Sequence, residues 1–345
     1  MTKQHKRNKP EWNSQTNPQF HSAIVELDNL ALAFSKGISV EIRKKKVCEI
    51  NQEYKRDFFQ QLFKGRKKDN FPLIEHQLFN KMKKIEEHLL SNHFVKVVDA
   101  SFKNISRLVV GLGSEHVFET SLTLDYIWGI PYLPSSAVKG ICKATAFWEI
   151  VSYSLKLKNY DKKESQEGNS QNEIDELTKY VFQNLYNEDI HFENNKSSEL
   201  NDTEKTILLC KLIFGAQNFE GLLTFLDAYP QNLSEVADIF DLDVINSHYY
   251  EYYNNPENNP AGDWYNPQPV YFLTVKPGIE FKFCVFFDQF RAEKLIKSFR
   301  AGNIYSELIE MFKKDNFKFI RNIIETSLKS YGIGAKTRLG YGLFE

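Results

Sequence analysis

Apolar residues recur along the chain with two different periods, and the change of period marks where helices give way to strands. In residues 21–93 the spacing is helical. Phe58, Phe59, Leu62 and Phe63 form one stripe, and Leu78, Met82, Ile85 and Leu89 form another at intervals of four, three and four. From residue 94 the pattern shifts. Val95, Val97 and Val98, then Leu108, Val109 and Val110 after a polar connection, predict strands. Thr120–Leu133, rich in β-branched and aromatic residues, predicts extended chain. Pro134 opens a helix with Ser135 or Ser136 as its cap, carried on by Ala137–Val151. Ile207–Phe214 predicts a short buried helix that stops at Gly215. Leu222–Leu226 predicts a core strand. Val270–Val275 and Ile279–Phe287 flank the turn Lys276-Pro-Gly278 and predict a hairpin. Residues 289–330 are helical in two or three pieces, and a glycine-rich segment leads to a short strand at Tyr341–Phe344. Strands and helices mix without a strict βα repeat, so the expected fold class is α+β rather than a doubly wound sheet.

Three regions follow. Residues 1–20 are polar and read as a flexible basic arm, residues 21–93 as a helical, basic N-terminal region, and residues 94–345 as the core. An acidic, polar insertion at about 158–205 interrupts the core and is helical around Ile174–Leu185. With 345 residues, 42% hydrophobic and 26% charged, the chain has the profile of a globular protein with a sizeable core, not of a disordered, collagenous or disulfide-stapled one. No apolar run is long enough to span a bilayer, and the basic start lacks the apolar stretch of a secretory signal. Cys48, Cys142, Cys210 and Cys284 lie far apart without a CxxC pair. Neither a zinc site nor a disulfide framework is expected, and a reducing, cytoplasmic location fits. The net charge of −1 hides an asymmetry: residues 1–110 carry 21 Lys and Arg against 12 Asp and Glu, and the remainder 23 against 33. The basic excess is densest at Arg43–Lys46 and Lys64–Lys68, where the alternatives are a solvated face and a polyanion-binding surface.

Two segments carry candidate chemistry. In Gly332-Ile-Gly-Ala-Lys-Thr-Arg-Leu-Gly-Tyr-Gly342, four glycines bracket Lys336 and Arg338. Glycines allow a backbone to approach a ligand, successive amides can form an anion-binding concavity, and the two cations suit a phosphate chain. A Walker loop would place its glycines where Ser330 and Ala335 stand, a dinucleotide fingerprint would need one at Thr337, and both need a helix afterwards. Mononucleotide and dinucleotide binding are therefore disfavoured, and a plain glycine-rich turn is the remaining alternative. The second segment is Ile130-Pro-Tyr-Leu-Pro-Ser-Ser-Ala-Val-Lys-Gly140. Its free first-turn amides and helix dipole favour an oxyanion, with Lys139 one turn in; an ordinary capped helix is the alternative.

Together with Gly111-Leu-Gly113, Glu119-Thr-Ser-Leu-Thr-Leu124, Gly215, Phe225-Leu-Asp-Ala-Tyr-Pro230, Asp243-Val-Ile-Asn-Ser-His-Tyr-Tyr250 and Phe272-Leu-Thr-Val-Lys-Pro-Gly278, these segments resemble the RAMP superfamily over about residues 105–345. More narrowly, they are similar to the family of sixth subunits of the Cmr (type III-B CRISPR) RNA-guided effector complex. The helix-start motif of that family commonly reads Pro-Gly-Ser-x-x-Lys-Gly. Ser135 stands where glycine is usual, while Ser136, Lys139 and Gly140 match. The resemblance implies a ferredoxin-like (RRM-like) core elaborated by insertions. It implies a non-catalytic subunit that binds the guide RNA (crRNA) backbone and caps its 3′ end. The implied partners are the crRNA, target RNA through it, and other Cmr subunits: the repeated backbone subunit, the small subunit and a neighbouring RAMP subunit. No cofactor, metal or membrane is implied. The residues carried over as RNA-binding are Ser136, Lys139, Gly140, Gly332, Gly334, Lys336, Arg338 and Gly340. Amides and scattered cations read phosphates without reading bases, as a holder of arbitrary guides must.

A rival reading is a RAMP-type metal-independent endoribonuclease using His116, and another is an assembly protein whose glycine-rich end docks on a neighbour. Asp125 and Asp227 lack a second carboxylate at metal-binding spacing and read as structural. The tyrosines of His248-Tyr-Tyr-Glu-Tyr-Tyr253 suit either base stacking or a subunit interface.

Overall fold

The computed structural model describes residues 55–59, 71–114, 116, 120–161, 171–187, 189–192, 200–231, 233, 239–300 and 302–345. The arm at 1–20 and the basic runs Arg43–Lys46 and Lys64–Lys68 lie outside the described residues. So do Leu62 and Phe63; residues 55–59 are helical, with Phe58 and Phe59 buried.

The elements are α1 (Phe71–Ser91), β1 (Phe94–Lys103), α2 (Ser135–Asp161), α3 (Gln171–Phe182) continued by a π-turn (Gln183–Asn187), α4 (Asp202–Phe214), β2 (Gly215–Ala216), β3 (Phe219–Glu220), β4 (Leu223–Phe225), β5 (Tyr229–Pro230), β6 (Phe240–Ser247), α5 (Tyr250–Asn254), β7 (Gln268–Val275), β8 (Glu280–Asp288), α6 (Gln289–Ser298), α7 (Ile304–Lys314) and α8 (Lys318–Thr326). This is the expected α+β class. The chain forms two compact units: one of Met1–Asn70, Gly111–Pro131 and Ala237–Val275, the other of Phe71–Val110, Tyr132–Val236 and Lys276–Glu345.

The second unit is built on an antiparallel sheet with β8 at its centre. β1 runs along one side of β8 from Phe94↔Asp288 to Lys103↔Glu280, with an irregularity between Lys96 and Val98. β4 and β5 pair with the other side. Alternation along β8 sends Phe281, Phe283, Val285 and Phe287 to one face, each no more than 1% exposed. The Phe344 ring packs edge-on against Phe281 and Phe283 at 6.0 and 5.9 Å, and Phe317 lies 5.2 Å from Phe287. Burying each such ring contributes about 1.5–3 kcal/mol. Ile320, Ile323 and Ile324 of α8 are buried too. Side-chain caps fix three helix starts. Asn201 and Glu204 form a reciprocal capping box on α4, Asp288 accepts the Arg291 N–H on α6, and Asn303 accepts the Tyr305 N–H on α7.

The opposite face of β8 carries Lys282 and Cys284, where α1 brings Glu86. Lys96 Nζ donates to Glu86 at 2.6 Å and to Asp99 at 2.8 Å, and Lys282 lies 3.2 Å from Asp99. Burial pushes the Asp99 carboxyl up, but hydrogen bonds from Lys96 and Lys282 outweigh it and hold the group below the ordinary carboxylate range. A depressed folded-state value stabilises above the unfolded value and is lost as pH falls through the folded one. The melting temperature is therefore expected to drop below about pH 4. Asp99→Asn should flatten part of that drop, and an unchanged acid limb would remove Asp99 from the cause.

Two expectations need correction. Val270–Val275 and Ile279–Phe287 do not form a hairpin: β7 pairs with β6, from Phe240↔Val275 to Ser247↔Gln268, while β8 pairs with β1, β4 and β5. The turn between them is held by Asn104, whose Nδ2 donates to Lys276 O at 2.7 Å and whose Oδ1 accepts the Ile279 N–H at 2.7 Å. Leu108 and Val109 are buried, but Leu108–Val110 is not a named strand; Val109 O accepts the Ala335 N–H from the glycine-rich segment. Thr120–Leu133 folds back at a turn over Tyr126–Trp128, with isolated bridges at Leu124↔Pro131 and Leu133↔Ala228. Within the insertion, α3 and its π-turn span the expected helix, and residues 162–170, 188 and 193–199 lie outside the described residues.

Candidate nucleic-acid interface

The glycine-rich segment is a loop pinched at its base by its own backbone. Ile333 N–H donates to Gly342 O at 2.9 Å, Gly342 N–H to Arg107 O at 2.8 Å, and Ala335 N–H to Val109 O at 2.8 Å. The chain end continues this seam: Ile105 N–H donates to Leu343 O, and Lys103 and Glu345 exchange backbone bonds. At the crossing, a Cβ on Gly342 would run into Ile333 O, and one on Gly334 into Val109 O. These glycines let strands of this chain cross closely. Gly332 is buried and its N–H is committed to Ser327 O at 2.8 Å, which corrects the expectation that this amide faces a phosphate. Gly334 is exposed.

Beyond the pinch the loop carries its cations outward. Lys336 sits in the left-handed region (φ 60°) and starts a 3-10 turn over Thr337–Leu339, which Gly340 closes at φ 86°. Arg338 and Leu339 are exposed at the tip, and Lys336 is half-buried with Nζ 5.9 Å from the Tyr341 ring. Arg338 makes no salt bridge among the described residues.

The start of α2 differs from its expected form. The Asp227 carboxylate, from the β4–β5 connection, accepts the Ser135 N–H at 2.7 Å, and Pro134 O accepts the Ala137 and Val138 N–H groups. The negative group at this helix dipole is thus supplied by the chain itself. Neither serine is the cap, and the expected oxyanion at the first amide is displaced. No spacing rule flags a cap 92 residues distant in sequence. Ser136 and Gly140 are exposed and Lys139 is half-buried; nothing lies within 4 Å of a Cβ placed on Gly140.

The two segments belong to the same unit, and α2 contacts the run that feeds the glycine loop. Ser327 Oγ donates to Ile323 O at 2.6 Å and lies within hydrogen-bond distance of Thr145 Oγ1 at 2.8 Å, from which it can accept. Burial pushes the Cys142 thiol up to about 12, partly offset by a hydrogen bond with Ser327. These contacts reach α2 at Cys142 and Thr145, about one and a half to two and a half turns after Ser136. His116 lies in the other unit, half-buried and with neighbours outside the described residues. Asp125 Oδ1 accepts the Ile127 and Trp128 N–H groups and closes a turn, a structural role. Among the described residues there is no group of three or more His, Cys, Asp and Glu able to hold a metal ion, and no helix long and apolar enough to cross a membrane.

Comparisons with known proteins agree on one family. The sequence model of the RAMP superfamily matches residues 101–345. The CRISPR system Cmr subunit Cmr6 of Pyrococcus furiosus is 30% identical over 301 residues, covering 80% of this chain and 75% of its own. The Cmr6 subunit of Saccharolobus solfataricus is 21% identical over 279 residues, covering 80% of this chain and 66% of its own. Among solved structures, a chain of the type III-B Cmr-beta complex bound to cognate target RNA shares the fold, with a TM-score of 0.50 and 20% identity, covering 96% of this chain and 92% of that one.

Proposed function

This chain belongs to the RAMP superfamily and, within it, to the Cmr6 family, and from that membership we propose that it is a guide-RNA-binding subunit of a cytoplasmic type III-B CRISPR effector complex. The observation that carries the reading is the 30% identity sustained over 301 residues with a Cmr6 subunit. In this reading the chain caps the crRNA 3′ end, contacts target RNA only through the crRNA, and docks on other Cmr subunits without cleaving RNA. A ferredoxin-like core fits the topology. β1 and β4 flank β8, both antiparallel to it, α2 lies between β1 and β4 in sequence, and the terminal Phe344 bridges to Asn104 at the outer side of β1.

The geometry supports a backbone holder. Lys336 and Arg338 ride on a pinned loop, and Lys139 and the exposed Ser136 on the first turns of α2, the residue types that hold phosphates rather than read bases. The test is a binding titration of the full chain with labelled single-stranded RNAs of different sequence. Lys336→Ala/Arg338→Ala is expected to weaken every RNA by the same factor and to reduce the slope of log affinity against log salt by about 1.4, at ~0.7 per phosphate contact. Unchanged affinity, or a loss confined to one sequence, overturns the assignment. Purified chain is expected to leave labelled RNA intact in EDTA; cleavage abolished in His116→Ala would replace this reading with the endoribonuclease.

A further inference from the structure

Aromatic side chains of α2 and the insertion meet on one surface of the second unit. Phe147 is 6% exposed and forms the floor. The Trp148 ring stands edge-on to it at 4.9 Å, Phe182 of α3 at 6.2 Å and Tyr186 of the π-turn at 6.1 Å, and Phe182 stacks on Tyr186 at 5.1 Å. Trp148 and Phe182 remain 45% and 49% exposed. Single exposed apolar residues are ordinary, but a contiguous group of rings with two faces left open is not.

Positive charge lies beside these rings. Lys143 Nζ sits 4.7 Å from the Tyr186 ring centroid and donates to Gly215 O at 3.2 Å. Burial lowers the Lys143 ammonium, and the neighbouring Lys139 charge lowers it further. Neither Lys139 nor Lys143 makes a salt bridge among the described residues. From the start of α2, Ser136, Gly140, Ala144 and Trp148 recur at intervals of four, which places them along one side of the helix over about 18 Å.

We propose that Trp148 and Phe182 form a stacking shelf for an unpaired base of single-stranded RNA, with the adjoining phosphates drawn to Lys139 and Lys143. The inference rests on the guide-holding reading and extends it, since it assigns a role to α3 and its π-turn. Charge complementarity favours RNA over a protein occupant. A protein face closing over cations that lack carboxylate partners would have to desolvate them, whereas a ribose-phosphate brings its own counter-charge. Rings stack on any base, which suits a guide of arbitrary sequence.

The test uses the full chain, a labelled oligouridine, and an abasic oligomer of the same length. Wild-type protein is expected to bind the oligouridine more tightly than the abasic strand. Trp148→Ala/Phe182→Ala should weaken oligouridine binding by about tenfold or more, with the salt slope unchanged and abasic binding unaffected. Trp148→Tyr should retain most of the affinity, and a 4-thiouridine oligomer should crosslink to Trp148 or Phe182 in the wild-type chain. Equal wild-type affinity for the two oligomers, full oligouridine affinity in the double variant, or crosslinks only elsewhere overturns the shelf and leaves the guide-holding reading standing. Failure of the wild-type chain to bind either oligomer overturns both.

Discussion

Gly342→Ala is expected to destabilise the second unit by about 3 kcal/mol or more, through two separable costs. The first is backbone conformation: Gly342 has φ +69°, where a Cβ costs about 1–2 kcal/mol. The second is collision. The new methyl would run into Ile333 O and lie 2.9 Å from Ile333 C, and Ile333 is tied to this spot by its own N–H, which donates to Gly342 O. Overpacking of this kind costs about 1–3 kcal/mol. Gly340 provides the control. Its φ is +86°, but nothing lies within 4 Å of a Cβ there, so Gly340→Ala should show the conformational cost alone. In a domain of this size the expected fall in melting temperature is roughly 6–12 °C for Gly342→Ala and less than half of that for Gly340→Ala. Thermal unfolding of both variants by circular dichroism decides it; equal falls would mean that the crossing is not tight. Because the pinch carries the loop of Lys336 and Arg338, Gly342→Ala should also weaken RNA binding while keeping the wild-type salt slope, since no cation is removed.

The sequence made the glycines conspicuous without separating a ligand-facing loop from a tight crossing, and the reason is physical. A glycine is required wherever a backbone comes close, whether that backbone is a ligand's neighbour or another strand of the same chain, and spacing along the sequence cannot separate the two. Periodic elements were legible because their signal is local. The stripe through Leu78 and Met82, the run ending at Gly215, and the alternation through Phe281 and Phe283 each report a buried face on the segment that carries it. The misread hairpin shows the limit. Lys276-Pro-Gly278 is good turn chemistry, but turn chemistry does not choose partners, and β7 finds β6 while β8 finds β1. The cap of α2 failed for the same reason, since Asp227 reaches Ser135 only once the sheet is assembled. The candidate cations were legible from the motif order, whereas the ring cluster was not, because Trp148 and Phe182 meet Phe147 from two segments that come together only when α3 packs on α2.

Asn104 is a second residue with no local signature, and its replacement is expected to cost about 3 kcal/mol. It is fully buried beneath the turn that joins β7 to β8. Its Nδ2 donates to Ser106 O at 2.8 Å and to Lys276 O at 2.7 Å, and its Oδ1 accepts the Ile279 N–H at 2.7 Å. Its own backbone adds Asn104 N–H to Ile279 O at 3.0 Å and Gly278 N–H to Asn104 O at 2.6 Å. Asn104→Ala keeps the backbone pair but leaves one amide and two carbonyls without their side-chain partner, at about 1–3 kcal/mol for each group that water cannot reach. Asn104→Asp separates the contributions. The acceptor for Ile279 survives, but an ionised carboxylate would face two carbonyl oxygens in a buried site, which raises its proton affinity. Protonation restores one donor. The folded-state pKa therefore lies above the unfolded value, so the stability of Asn104→Asp should rise as pH falls from 7 toward about 4, over a range where the wild-type chain loses none of its Asp99 contribution. Urea unfolding at three pH values measures this directly. A variant with wild-type stability at neutral pH would show that the turn is held by the backbone bonds alone and that the Asn104 side chain adds nothing.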